Sequence, residues 1–159
     1  MKIVPVTEND WASLKNIRLE SLRESPDAFG ITYQEAKEVS EEKWRSISSG
    51  ESGLKFFLAR SENKNVGLVG GVQTAGEYEL VSMWVKPEKR NGGIGTSLIK
   101  ELLVHAKSEG FAAVILSVSS KNKAALNLYA KNGFKEFKES GGSAGTELKK
   151  MVWSSASEP

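Results

Sequence analysis

The sequence predicts a mixed α+β fold in which helices are inserted among the strands of one mostly antiparallel sheet. Three observations carry this expectation. Residues 55–60, 66–74 and 78–85 are strand-like runs separated only by the turn-rich "SENKN" and "AGE", which reads as an antiparallel meander. Apolar residues recur at helical spacing on both sides of that meander. "AAVILSV", residues 112–118, is an unbroken apolar run of the kind expected in a strand buried on both faces.

Taken in order, residues 2–6 are short and β-branched and suit a first strand. Thr7 and Asp10 have capping-box spacing, and Trp11, Leu14, Ile17 and Leu22 follow on one helical face that should end before Pro26. "SPDAFGITYQEAKEV" mixes proline, glycine and aromatics without a period and reads as a loop carrying at most a short turn. Val39 and Ser40 resemble a staple and N-cap for a second helix with Trp44 and Ile47, stopped at Gly50. After the meander, Ile94, Leu98, Leu102 and Ala106 mark a third helix that Gly110 can close. A fourth runs from near Asn122 to Gly133, and "FKEFKES" and "ELKKMVW" supply two last strands across "GGSAGT". The expectation is one domain, residues 1–159, with seven strands, about four helices and a frayed tail at 154–159.

Composition removes several chemistries. The chain has 159 residues, no cysteine and one histidine, so disulfides, thiolate nucleophiles and sites built from several imidazoles are excluded. The net charge of +2 is too small to point to nucleic acid by itself. Neither a secretory leader nor a membrane-length apolar run is evident, and the expectation is a cytoplasmic protein with no metal, nucleic-acid or membrane partner. His105 lies off the apolar stripe of its helix and reads as a solvated residue.

"VKPEKRNGGIGTSL", residues 85–98, asks what needs so much bare backbone at a helix start. A helix N-terminus carries unpaired N–H groups and the positive end of the macrodipole, so an open one binds anions. Gly92, Gly93 and Gly95 would leave those amides accessible, and Lys86, Lys89 and Arg90 add positive charge. A P-loop requires lysine after the last glycine, and Thr96 stands there. A dinucleotide fingerprint requires a third glycine, where Leu98 stands.

The remaining pattern, Arg90-x-x-Gly93-x-Gly95 after a strand ending Val85-x-Pro87, resembles the coenzyme A pyrophosphate loop of the GNAT superfamily of N-acetyltransferases. A second stretch is similar to that superfamily's other signature: Asn122, Ala125, Leu126, Leu128, Tyr129, Lys131, Gly133 and Phe134. The resemblance implies a GNAT-like fold whose strands four and five splay apart to admit the pantetheine arm of acetyl-CoA. It implies cofactor contacts from Met83, Trp84 and Val85 on strand four, from Arg90, Asn91, Gly92, Gly93, Ile94, Gly95 and Thr96 around the pyrophosphate, and from Asn122. Trp84 equally suits a core position, and Asn122 the N-cap of the fourth helix. Asn91 departs from the more frequent glycine or basic residue.

Tyr129 matches the tyrosine that protonates the leaving thiolate in many members, although an aromatic at helical spacing also packs. Glu79 matches the general-base glutamate of some members, and strand alternation would put Glu79, Val81 and Met83 on one face. The glutamate that another subfamily carries on strand five is replaced by Ser117. The acceptor should meet the first helix, the loop with Phe29 and Tyr33, and the loop between strands six and seven. Phe29 and Tyr33 could equally be core. The implied activity is direct acetyl transfer to a primary amine of a small molecule in a ternary complex. A protein or peptide acetyltransferase and a non-catalytic acetyl-CoA sensor are the alternatives, and a homodimer is compatible with each. "GGSAG" formally matches a serine-hydrolase elbow, but it lies between strands and after the histidine.

Overall fold

A computed structural model describes residues 1–26, 30–137 and 148–157. Seven strands form one mixed sheet in the order β1-β2-β3-β4-β5-β7-β6. They are β1 (Lys2–Pro5), β2 (Leu54–Ser61), β3 (Lys64–Thr74), β4 (Glu77–Val85), β5 (Ala113–Ser119), β6 (Lys135–Glu136) and β7 (Leu148–Ser154). The helices are α1 (Trp11–Glu24), α2 (Tyr33–Lys37), α3 (Glu41–Ser49), α4 (Ile94–Ser108) and α5 (Lys123–Lys131). Among the described residues no helix is long and apolar enough to cross a membrane.

The meander forms where expected because its turns have the right chemistry. Glu62 and Asn63 join β2 to β3, and Ala75 and Gly76 join β3 to β4, with positive φ at all four. That twist suits two-residue hairpins. Helix α2 is the one helix not anticipated. Thr32 and Glu35 cap it reciprocally, with Glu35 N donating to Thr32 Oγ1 at 3.1 Å and Thr32 N to Glu35 Oε1 at 3.0 Å. The Ser155–Ser157 stretch, expected to fray, forms a 3-10 turn whose first amide donates to Ala112 O at 2.8 Å.

The sheet has a core on each face. Leu14, Ile17 and Leu22 of α1 with Trp44 of α3 bury Phe56, Leu58, Leu68 and Trp84 on one side. Leu98, Ile99, Leu102 and Ala106 of α4 bury Phe57, Val69, Tyr78 and Leu80 on the other. Neighbouring glycines of β3 admit aromatic rings on opposite faces. A Cβ on Gly71 would stand 2.3 Å from the Tyr78 hydroxyl, and one on Gly70 would stand 2.7 Å from the Phe56 ring.

Two expectations about which faces the strands bury fail, for separate reasons. Strand β4 bulges, its register to β3 slipping between Gly70↔Val81 and Leu68↔Trp84, with Ser82 at φ 57°. A bulge inserts one residue and reverses the facing of everything beyond it. Met83 therefore joins the α4 side while Trp84 enters the α1 side, so Met83 does not share a face with Glu79 and Val81. Strand β5 buries only Val114, Leu116 and Val118, while Ala113 and Ser117 are exposed. The core beneath α1 and α3 contains no β5 residue, so among the described residues no apolar layer covers that second face as a doubly buried strand would require.

His105 is also more enclosed than its place off the stripe suggested. Its ring meets Phe57 and Tyr78 edge-on at 5.7 and 6.2 Å. Burial lowers its pKa; Glu109 opposes that shift and Lys55 reinforces it.

The Tyr78 hydroxyl is buried without a hydrogen-bond partner among the described residues. Burial first, and then the Glu109 charge, push it up to about 12. Tyr78→Phe should therefore raise stability in urea denaturation by about 1 kcal/mol, since an unpaired buried hydroxyl costs more than it returns. Gly71→Ala should lower it by about 1–3 kcal/mol through overpacking. A destabilised Tyr78→Phe would mean that the hydroxyl is bonded after all.

Candidate functional site

The site begins where the sheet comes apart. Strands β4 and β5 run parallel but are matched only at Glu79↔Ile115. Beyond that pair β4 continues through its bulge to Val85 with no partner on the β5 side. The opening therefore has strand backbone on both walls, with the predicted Met83, Trp84 and Val85 at its far end. Glu79 marks the point of divergence and is half-buried. Val85 and Trp84 are buried, and the indole of Trp84 belongs to the core beneath α1.

The predicted loop closes that end. Pro87–Lys89 forms a 3-10 turn, Asn91 has φ 67°, and Gly93 is the N-cap of α4 at φ 87°. No side chain caps the helix, and Ser97 is the amide bonded back to Gly93 O, at 3.1 Å. The amides of Ile94, Gly95 and Thr96 thus have no acceptor within the helix. Among the described residues a Cβ on Gly93 would meet nothing within 4 Å, so no packing against its neighbours crowds this N-cap position.

The glycines serve different purposes. Gly93 supplies a left-handed conformation that side chains rarely adopt. Gly95 instead allows close packing, because a Cβ there would stand 2.9 Å from Leu128 Cδ2 and 3.3 Å from Met83 Cε. Asn91 accepts positive φ, as asparagine does more readily than most residues.

Arg90 does not simply extend into solvent. Its Nε donates to Val85 O at 2.8 Å, and its Nη2 donates to Glu24 Oε1 at 3.1 Å. The other oxygen of Glu24 accepts from Trp84 Nε1 at 3.0 Å. One turn earlier, Glu20 Oε1 lies 3.3 Å from Lys86 Nζ. Sequence reasoning missed both glutamates. Their spacing of four along α1 was visible, but nothing local shows which distant cations they face.

Helix α5 carries the second motif. The Asn122 side chain accepts from Ala125 N at 3.1 Å, so it is the N-cap. Tyr129 is buried, its ring edge-on to Phe134 at 5.8 Å. Burial pushes its phenol well above the ordinary value, which keeps the proton on the oxygen at neutral pH. Asn132, also missed, donates from Nδ2 to Thr96 Oγ1 at 3.2 Å and to Leu128 O at 2.8 Å. Together with the Leu128–Gly95 contact, this fixes α5 against the first turn of α4.

Tyr33 stands apart from these residues. Its ring lies under the Arg23 guanidinium at 4.7 Å, and its hydroxyl accepts a hydrogen bond from Arg23. With Asn16, Leu19 and Glu20 they line a depression of about 240 Å³ that does not include Glu79 or Tyr129. A neighbouring depression of about 260 Å³ includes Ser13, Lys64 and Lys86. Phe29 and the GGSAG segment lie outside the described residues.

Comparison with known proteins gives these features a context. The family model described as the Acetyltransferase (GNAT) family matches residues 11–134. The human N-acetyltransferase 8 is 33% identical over 92 residues, covering 54% of this chain and 40% of its own. The mycothiol acetyltransferase of Thermobispora bispora is 30% identical over 136 residues, 80% of this chain and 42% of its own. The chain therefore spans about two fifths of the length of these relatives. Among solved structures, the PaiA N-acetyltransferase of Thermoplasma acidophilum in complex with coenzyme A superimposes with a TM-score of 0.67 at 22% identity, over 97% of this chain and 99% of the other.

Two outcomes follow from the packing and charge of the site. Gly95→Ala should cost about 1–3 kcal/mol by overpacking, and Gly95→Ala/Leu128→Ala should lose less than the sum of the two single variants in the same urea titration. Strict additivity would show that the two residues are not in contact. Burial works against ionisation of Glu24, but hydrogen bonds from Ser25 and Trp84 and the Arg90 charge outweigh it, leaving its pKa lowered. Its contribution to stability is present above the unfolded carboxyl pKa and is lost as pH falls through the lower folded value. The stability difference between the native chain and Glu24→Gln should therefore shrink on acidification through that window; a difference independent of pH would contradict the ion pair.

Proposed function

The chain belongs to the acetyltransferase (GNAT) family, and from that premise we propose that it transfers the acetyl group of acetyl-CoA directly to a primary amine of a small molecule. The observation that carries the reading is the opening between β4 and β5, which leads to the uncapped N-terminus of α4. Its donor set suits the group: strand backbone along the walls for an amide-bearing arm, then three amides without acceptors in the helix and basic residues for a pyrophosphate.

In this reading the backbone of Met83, Trp84 and Val85 orients the pantetheine arm. Residues from Arg90 to Thr96 hold the pyrophosphate, and Asn122 contacts the arm from α5 while capping its helix. Bound there, acetyl-CoA supplies an activated thioester, and the chain's residues supply orientation and proton handling. Tyr129 donates its phenolic proton towards the departing sulfur. A phenol is protonated at neutral pH and is in the correct state for that task. Glu79, at the divergence point, takes the proton from the acceptor amine directly or through water. With no cysteine in the chain, transfer proceeds in a ternary complex without a thiol acyl-enzyme.

Tyr129→Phe should lower kcat by about 100-fold while leaving the Kd for coenzyme A nearly unchanged; undiminished turnover would remove Tyr129 from the chemistry. Glu79→Gln should abolish the acid limb of the kcat/KM pH profile, and an unaltered profile would assign the base elsewhere. The reading as a whole is tested by mass-spectrometric detection of acetylation across polyamines, amino acids, aminoglycosides, and peptides with free N-termini or lysines. Rapid modification of a small amine is expected. Activity on peptides alone would overturn the small-molecule assignment, and coenzyme A binding without transfer to any amine would overturn the enzymatic one.

A further inference from the structure

The last turn of α1 and the loop after β4 carry matched charges. Glu20 and Glu24 lie four apart on one helix face, and Lys86 and Arg90 lie four apart across the Pro87–Lys89 turn. They meet as two rungs, Lys86 Nζ to Glu20 Oε1 at 3.3 Å and Arg90 Nη2 to Glu24 Oε1 at 3.1 Å. Only the Glu24 rung is elaborated. Its second oxygen accepts a hydrogen bond from Trp84 Nε1 at 3.0 Å, and the guanidinium it holds turns back to donate to Val85 O at 2.8 Å. One carboxylate thus ties together the end of the strand, the side chain that closes the loop and the end of the first helix.

We propose that Glu24 is a positioning residue for the phosphate-binding loop, holding Arg90 folded back onto Val85 so that the amides of Ile94, Gly95 and Thr96 are presented in a fixed geometry. The inference rests on the coenzyme A reading given above.

Its physical basis is preorganisation. A loop held before the ligand arrives loses less conformational entropy on binding. A guanidinium has five N–H donors, and two of them are used by Val85 and Glu24. The rest stay available at a side chain that is 43% exposed. Without the carboxylate, Arg90 would lose the contact that fixes its rotamer, and the loop it closes would be less well ordered before the ligand arrives. Trp84 would lose the acceptor for its indole N–H in the core beneath α1. The role is indirect, since Glu24 as an anion would not itself bind a pyrophosphate.

The test is isothermal titration of the full chain with coenzyme A and, separately, with pantetheine, which lacks the pyrophosphate. Glu24→Gln keeps the side chain's size and one carbonyl oxygen for Trp84 but removes the charge that holds Arg90. It should weaken coenzyme A binding by about tenfold, the scale of one charge-assisted hydrogen bond, and leave pantetheine binding unchanged. Arg90→Gln should show the same selective loss, and the double variant should bind no more weakly than Arg90→Gln alone. Equal losses for both ligands would mean that Glu24 only supports the fold, and that would overturn the proposal. So would native affinity for coenzyme A in Glu24→Gln. If the unmodified chain bound neither ligand, the coenzyme A reading would fall first and this inference with it.

Discussion

The bulge at Ser82 is the constraint on which the rest of the molecule depends. Strand β4 must pair with β3 along its length, pack against helices on both faces and separate from β5 soon after Glu79. A regular strand cannot meet all three demands, because unbroken alternation would put Trp84 on the face of Tyr78 and Leu80. One extra residue, with Ser82 at φ 57°, reverses the last part of the strand. Trp84 is thereby delivered to Glu24, and Met83 to Gly95. A non-glycine residue at positive φ costs conformational energy, and here that local strain accompanies the opening of the sheet.

Much of the architecture was legible because local chemistry and long-range packing agree. The N-cap at Ser40 and the left-handed Gly50 bound their helix as the sequence indicated, while the capping box at Thr7 and Asp10 closes a 3-10 turn, Glu8–Asp10, that leads directly into α1. The hairpins were legible from their turns. The short helix α2 was not, because five residues cannot display a helical period, even though its own capping box was present. The facing of Met83 and Trp84 was illegible for a different reason: "LVSMW" contains no glycine to announce a bulge. The apolar run of β5 misled because continuous hydrophobicity does not reveal whether two helical layers exist to cover it.

The candidate site shows the same division. Its glycine loop and its second motif could be read directly, since their spacing is fixed by backbone needs within a few residues. The contacts that hold these parts in place span large separations, as between Glu24 and Arg90 or Thr96 and Asn132. Residue type alone gives no indication of such partners. Gly95 was singled out for access to the amides, whereas what the packing shows is that its missing side chain makes room for Leu128 and Met83.

The strand order also bears on how the fold is completed. Strands β2 to β4 are consecutive spatial neighbours joined by two-residue turns, so that portion of the sheet can form from contacts close in sequence and with little loop-closure cost. The remaining portion cannot. Strand β7 pairs with β5 at every residue from Ala113↔Ser154 to Ser119↔Leu148, and among the described residues β6 has no neighbour in the sheet except β7. Until residues 148–154 arrive, β5 presents a bare apolar edge of the kind that invites intermolecular pairing. During synthesis the edge of β5 therefore stays unpaired until β7 has been made, whereas the β2–β4 meander can close on its own contacts.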